Sequence, residues 1–161
     1  MDHLDVKIIG SLMEDARMTW AELASKVGLS APAAADRVNR LVKKGLIKKF
    51  GILMDPERAG LYCTAFIAVS LENPAHREQF LEKVIGLSVV QECHHVAGDY
   101  DYLLKVRCRN TKALDHIVSF ELKSMPGIVR TRTTIVLDTL KETEEIPLLP
   151  ELLNSKERDD V

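Results

Sequence analysis

The sequence predicts an α+β chain of two small domains, the first all-helical and the second alternating strands with helices. Three observations predict it. Residues 19–49 read as two short helices joined tightly at Gly28-Leu29-Ser30, and residues from Tyr62 onward read as strand, helix, strand, strand, helix, strand. Charge also divides: residues 1–50 carry nine Lys/Arg against six Asp/Glu and the remainder thirteen against eighteen, about +3 and −5 in a chain of net charge −2. With 161 residues and 46% hydrophobic content the chain can bury two small cores. The expected layout is a helical domain over 1–50, a linker or hinge at 51–60, a sheet domain over 61–140 and an acidic tail over 141–161.

The first helix, Leu4 to Glu14, places Leu4, Ile8, Ile9 and Leu12 on one stripe. The second, Trp20 to Val27, opens on a capping box of Thr19 and Glu22 and closes at Gly28, where a left-handed residue is needed. Ser30 caps the third, Pro32 sits harmlessly in its first turn, and Gly45 ends it. Ala34, Val38, Leu41 and Val42 should point inward. Projection at 3.6 residues per turn puts Ala33, Asp36, Asn39, Arg40 and Lys43 on the opposite side, with Arg37 and Lys44 on its flank. Lysines 43, 44, 48 and 49 follow closely.

Two helices at a fixed angle with a basic outer face are suited to entering the DNA major groove. Ser30 and the small Ala31 and Ala33 would let the backbone approach base edges, and Arg37 and Arg40 could contact phosphate or guanine. Asp36 would be repelled by phosphate, so it should pair with Arg40 one turn on or accept from a cytosine amino group. After Gly45 the run Ile47 to Met54 alternates as a strand, a wing to the helix-turn-helix, and 55–60 is rich in turn signals.

Downstream, Cys63–Leu71, Ala75–Ile85, Val89–Val96, Tyr102–Cys108, Thr111–Lys123 and Ile128–Leu137 follow the ferredoxin-like βαββαβ order. Phe80, Leu81, Val84, Leu114, Ile117, Val118 and Leu122 should cover one face of the sheet. Thr64, Phe66, Ala68 and Ser70 leave apolar groups on the other, which argues for dimerisation by sheet packing. Gly98-Asp99-Tyr100-Asp101 reads as a hairpin turn, and Ile146-Pro147-Leu148-Leu149-Pro150 sits in a tail expected either to fray or to dock on a neighbouring subunit.

Leu29, Ser30, Arg37, Val38, Arg40, Leu41, Gly45 and Ile47, with Leu53-Met54-Asp55-Pro56 and Gly60-Leu61, resemble the DNA-binding half of the leucine-responsive/asparagine-responsive (Lrp/AsnC, feast/famine) regulators. Val89 to Lys105, Met125 to Val129 and Thr131 to Thr134 are similar to that family's effector-domain signature, and the resemblance spans about residues 2–141. It implies a regulator of transcription that binds double-stranded DNA, carries a ferredoxin-like (RAM-type) effector domain, and assembles as a homodimer or, commonly, an octamer. It also implies a pocket for a small amino acid at subunit interfaces, built from Gly98, Asp99, Tyr100, Asp101 and Leu103 with Thr131, Thr133 and Thr134. A carboxylate for the ammonium group and free N–H groups for the ligand carboxylate would supply the chemistry.

Sirohaem decarboxylases resemble the same two-domain family, and His94, His95 and His116 are compatible with them. The Gly98-Asp99-Tyr100-Asp101 loop, however, stands where those enzymes carry a segment rich in histidine and aromatics. A DNA-wrapping protein with little sequence preference is a third reading. No motif makes a positive case for catalysis, and His94-His95 point to opposite faces of a strand, so no metal and no cofactor is expected. Cys63, Cys93 and Cys108 are an odd set without a paired framework, and no apolar run is long enough to cross a membrane. A reduced cytoplasmic setting is the expectation, with Cys63 and Cys108 acting as small buried hydrophobes.

Overall fold

A computed structural model describes residues 1–148. The chain forms two compact units, residues 1–53 joined by the described tail residues 142–148, and residues 54–141.

In the first unit, α1 (His3–Glu14), α2 (Trp20–Val27) and α3 (Ala31–Lys43) each begin on a side-chain cap. Asp2 and Asp5 form a capping box on α1, Thr19 and Glu22 form one on α2, and Ser30 accepts from the Ala33 N–H. Gly28 ends α2 at φ 73°, a left-handed angle that a side chain would strain. Ile8, Leu12, Leu23, Ala24, Val27, Ala34, Val38 and Leu41 make the three-helix core. Leu4 and Ile9 are only partly buried, and Val42, expected inside, is 42% exposed, one step of about 100° round the helix from the buried stripe of Ala34, Val38 and Leu41.

The run 47–54 does not form the expected strand. Among the described residues no strand pairs with it, and alternation alone cannot satisfy a ladder of N–H and C=O groups. Phe50, Ile52, Leu53 and Met54 are at least half exposed. Asp55 then accepts from the Glu57 and Arg58 N–H groups and nucleates a compact turn up to Gly60.

The second unit is a four-stranded antiparallel sheet in the order β2-β3-β1-β4, with β1 Cys63–Leu71, β2 Val90–His95, β3 Tyr102–Cys108 and β4 Ile128–Ile135. A 3₁₀ turn at Pro74–His76 leads into α4 (Arg77–Gly86), and α5 (Thr111–His116) continues as a π-helical turn over Ile117–Leu122. Alternate residues Cys63, Ala65, Ile67 and Val69 meet Tyr102, Leu104, Val106 and Cys108 under Phe80, Val84, Leu114, Ile117 and Leu122. Leu81 and Val118 are only partly buried against this core. The opposite face is bare: Phe66 is 36% exposed and lies between Lys105 and Thr134.

Candidate reading helix and effector loop

The outer face of α3 presents Asp36, Asn39, Arg40, Lys43 and Lys44 to solvent, while Ala31 and Ala33 are half-buried near its start. Ser30, as the cap, is exposed. Arg37 does not join this face freely. Its Nη1 lies 2.6 Å from Asp2 Oδ2 and 2.7 Å from Asp5 Oδ1, so it ties α3 to the start of α1. Burial pushes the Asp2 carboxyl upward, but hydrogen bonds from Arg37 and the Asp5 N–H outweigh this and hold it below the usual aspartate value. The expected Asp36–Arg40 pair is absent, because Arg40 Nη2 lies 3.7 Å from Asp5 Oδ1 and leans toward α1 instead. Trp20, in the first turn of α2, is half-exposed.

The loop 96–101 joins β2 to β3 at the end of the sheet where β1 finishes and β4 begins. Asp101 Oδ2 accepts from the Leu71 N–H at 2.8 Å, and its backbone N–H donates to Val69 O, so the loop is pinned to β1. The Tyr100 ring lies under the Arg130 guanidinium at 5.0 Å, and its buried hydroxyl has no hydrogen-bond partner. Among the described residues the N–H groups of Gly98, Asp99 and Tyr100 make no backbone hydrogen bond. Gly98 takes φ 153° and Asp99 is exposed. One open carboxylate, an orphaned hydroxyl, a cation and unused N–H donors thus gather at one sheet end.

The threonines do not all gather there. Register puts Thr131 opposite Val69, beside the loop, but Thr133 opposite Ile67 and Thr134 opposite Phe66, successively farther along the sheet. Strand alternation also turns Thr134 to the bare face that Leu103 shares, and Thr133 to the helix side. A single chain therefore does not bring Thr133 and Thr134 to Asp101. Sequence reading missed Arg130, whose place opposite Ser70 follows only from pairing register.

His94 bonds Glu92 at 3.1 Å, and His95 stacks against Tyr102. Among the described residues no group of three His, Cys, Asp or Glu is placed to hold a metal ion, and no helix is long and apolar enough to cross a membrane. Cys63 and Cys108 are buried directly opposite each other, and burial, with Cys63 adding to it, pushes the Cys108 thiol up to about 11.

Comparison with known proteins settles the family. The Lrp/AsnC ligand-binding-domain profile matches residues 64–146, and a winged helix-turn-helix DNA-binding profile matches residues 1–48. The proline dehydrogenase transcriptional activator of Rhizobium radiobacter is 36% identical over 145 residues, covering 89% of this chain and 93% of that relative.

This chain belongs to the Lrp/AsnC family.

The leucine-responsive regulatory protein of Escherichia coli K12 is 34% identical over 148 residues, 91% of this chain and 90% of its own length. Among solved structures, a Neisseria meningitidis transcriptional regulator in complex with L-methionine superposes with TM-score 0.89 at 32% identity, covering 95% of this chain and 99% of that one. A feast or famine regulatory protein from M. tuberculosis, also complexed with L-methionine, gives TM-score 0.83 at 30% identity, covering 90% and 97%. This member of the Lrp/AsnC family is a DNA-binding transcriptional regulator with a helix-turn-helix and a ferredoxin-like effector domain.

Proposed function

We propose that this regulator reads double-stranded DNA with the outer face of α3 and answers to a small amino acid bound at the loop 98–101. The observation that carries the reading is the capped, rigid α3 whose solvent face gathers Asn39, Arg40, Lys43 and Lys44. Ser30, Ala31 and Ala33 lie toward the end that enters the groove, Arg40 is the base- or phosphate-contacting cation, Asp36 shares its face, and Arg37 acts from the flank. Arg40→Ala should weaken binding to a selected duplex by about 1–3 kcal/mol while leaving assembly intact. An unchanged gel shift refutes it.

The loop offers the ligand an acid, an arginine and open N–H donors. Asp99 and Asp101 would meet the ammonium, the Gly98–Tyr100 N–H groups the carboxylate, and Tyr100 and Leu103 the side chain. Thr131 borders the same site, and Thr133 and Thr134 would reach it from a second copy. The two relatives solved with L-methionine support an amino acid ligand. A thermal-shift screen against the amino acids tests this, since a ligand of the native state raises the melting point. If no amino acid shifts the wild type, the ligand class is wrong.

Homodimers form through the bare sheet face, and further assembly toward octamers completes the ligand site between copies. The protein works in the cytoplasm, where its three unpaired cysteines stay reduced.

A further inference from the structure

Asp5 is the one buried charged residue among the described residues. It sits in the first turn of α1, where Oδ2 accepts from the Asp2 N–H at 3.1 Å as half of the capping box, so the carboxylate cannot turn freely. Its other oxygen faces α3. Oδ1 accepts from Arg37 Nη1 at 2.7 Å and lies 3.7 Å from Arg40 Nη2.

The two arginines are held differently. Arg37 binds two carboxylates at short range and is 23% exposed, so both neighbours favour its charged form and hold it against α1. Arg40 touches Asp5 through one nitrogen at longer range and is 53% exposed. A guanidinium has five N–H donors in a rigid fork, so one edge can rest on Asp5 while another remains directed outward. We infer that Asp5 is a positioning residue for DNA reading: its buried carboxylate orients the Arg40 guanidinium on the outer face of α3 and withdraws Arg37 from that face. The inference rests on the reading of α3 proposed above.

This arrangement makes a claim that simple charge does not. An acid near phosphate repels DNA of any sequence, so removing its charge should hold or tighten binding to unrelated duplexes. If Asp5 orients a base-reading group, the same change must weaken binding to the preferred duplex. The two affinities should therefore diverge.

In the test, the full chain selects a duplex from a random pool at fixed salt, and a scrambled duplex of the same composition serves as reference. Wild type, Asp5→Asn, Arg40→Ala and the double variant are titrated on both. Asp5→Asn should lose about tenfold on the selected duplex with no loss on the scrambled one, the scale of one oriented charge-assisted contact. In the Arg40→Ala background it should cost nothing further, because its effect passes through Arg40. Wild-type affinity in Asp5→Asn, equal losses on both duplexes, or losses that add to those of Arg40→Ala overturn the inference.

Should Asp5→Asn fail to fold, Asp5→Glu keeps the carboxylate for Arg37 but displaces it by one methylene. Loss on the selected duplex alone is again expected, and unchanged discrimination overturns the proposal. A wild type that enriches no sequence overturns the proposed DNA reading as well, whereas a sequence-selective wild type with an inert Asp5 overturns this inference alone.

Discussion

Asp101 anchors the loop by accepting from the Leu71 N–H, and the proposed ligand reading also asks it for a charge. Asp101→Asn preserves an acceptor for Leu71 but removes the charge, so it should fold normally and lose the amino acid thermal shift; a normal ligand response in this variant removes Asp101 from the site. Gly127 is a separate constraint. It takes φ 83°, its carbonyl accepts from the Glu72 N–H, and a methyl there would overlap the His76 ring. Gly127→Ala should destabilise the sheet unit by about 1–3 kcal/mol in a denaturant melt. Asp2 supplies a pH dependence. Its folded pKa lies below the ordinary 3.8, so the stability it adds is fully present above that value and lost as pH falls toward the folded one. The pair is half-exposed, so Asp2→Asn should flatten the acid limb by only about a few tenths of a kcal/mol.

At the scale of elements, helix caps decide where each helix of the pair begins, and the Thr19 cap starts α2. Thr19 accepts from the Glu22 N–H while Glu22 accepts from the Thr19 N–H at 2.8 Å. Thr19→Ala should cost about 1 kcal/mol, seen as a lower melting point with no change in the sheet unit's ligand response. These caps, the helix stripes and the βαββαβ order were readable from sequence because each is a local pattern of few residues. Features set by distant partners were not. The run 47–54 alternates like a strand, yet nothing in one chain's alternation supplies a neighbour to pair with. Arg37 was expected to face DNA because helical projection cannot see carboxylates 32 and 35 residues earlier. The π-helical turn at Ile117–Leu122 breaks no sequence rule, and its 3.6-periodic reading gave one continuous helix. For the candidate site, the α3 face was visible as periodicity, whereas the sides taken by Thr133 and Thr134 depended on register that only the paired sheet fixes.

At the scale of the whole molecule, a near-neutral chain must concentrate its attraction to DNA. The helical end is about +3, and two copies each using Arg40, Lys43 and Lys44 on phosphates would give a log–log salt slope of about −5. A slope near zero in fluorescence titrations would contradict phosphate contact by this face. The bare sheet face is where the proposed dimer would form. Phe66 lies exposed among Lys105, Thr134 and their neighbours, so Phe66→Asp should shift sedimentation toward single protomers and weaken DNA binding with it.

The path of the tail has its own consequence. The Val136 N–H donates to Thr64 O, so the chain enters β1 and leaves β4 at the same end of the sheet. Residues 142–148 then rejoin the helical unit, where Leu148 Cδ1 lies 3.7 Å from the place a side chain on Gly10 would occupy. A protease that nicks the exposed stretch around Ile52–Met54 therefore severs one of two tethers. The cut halves should co-elute under native conditions, with the tail still seated on the helical unit, and part only in denaturant.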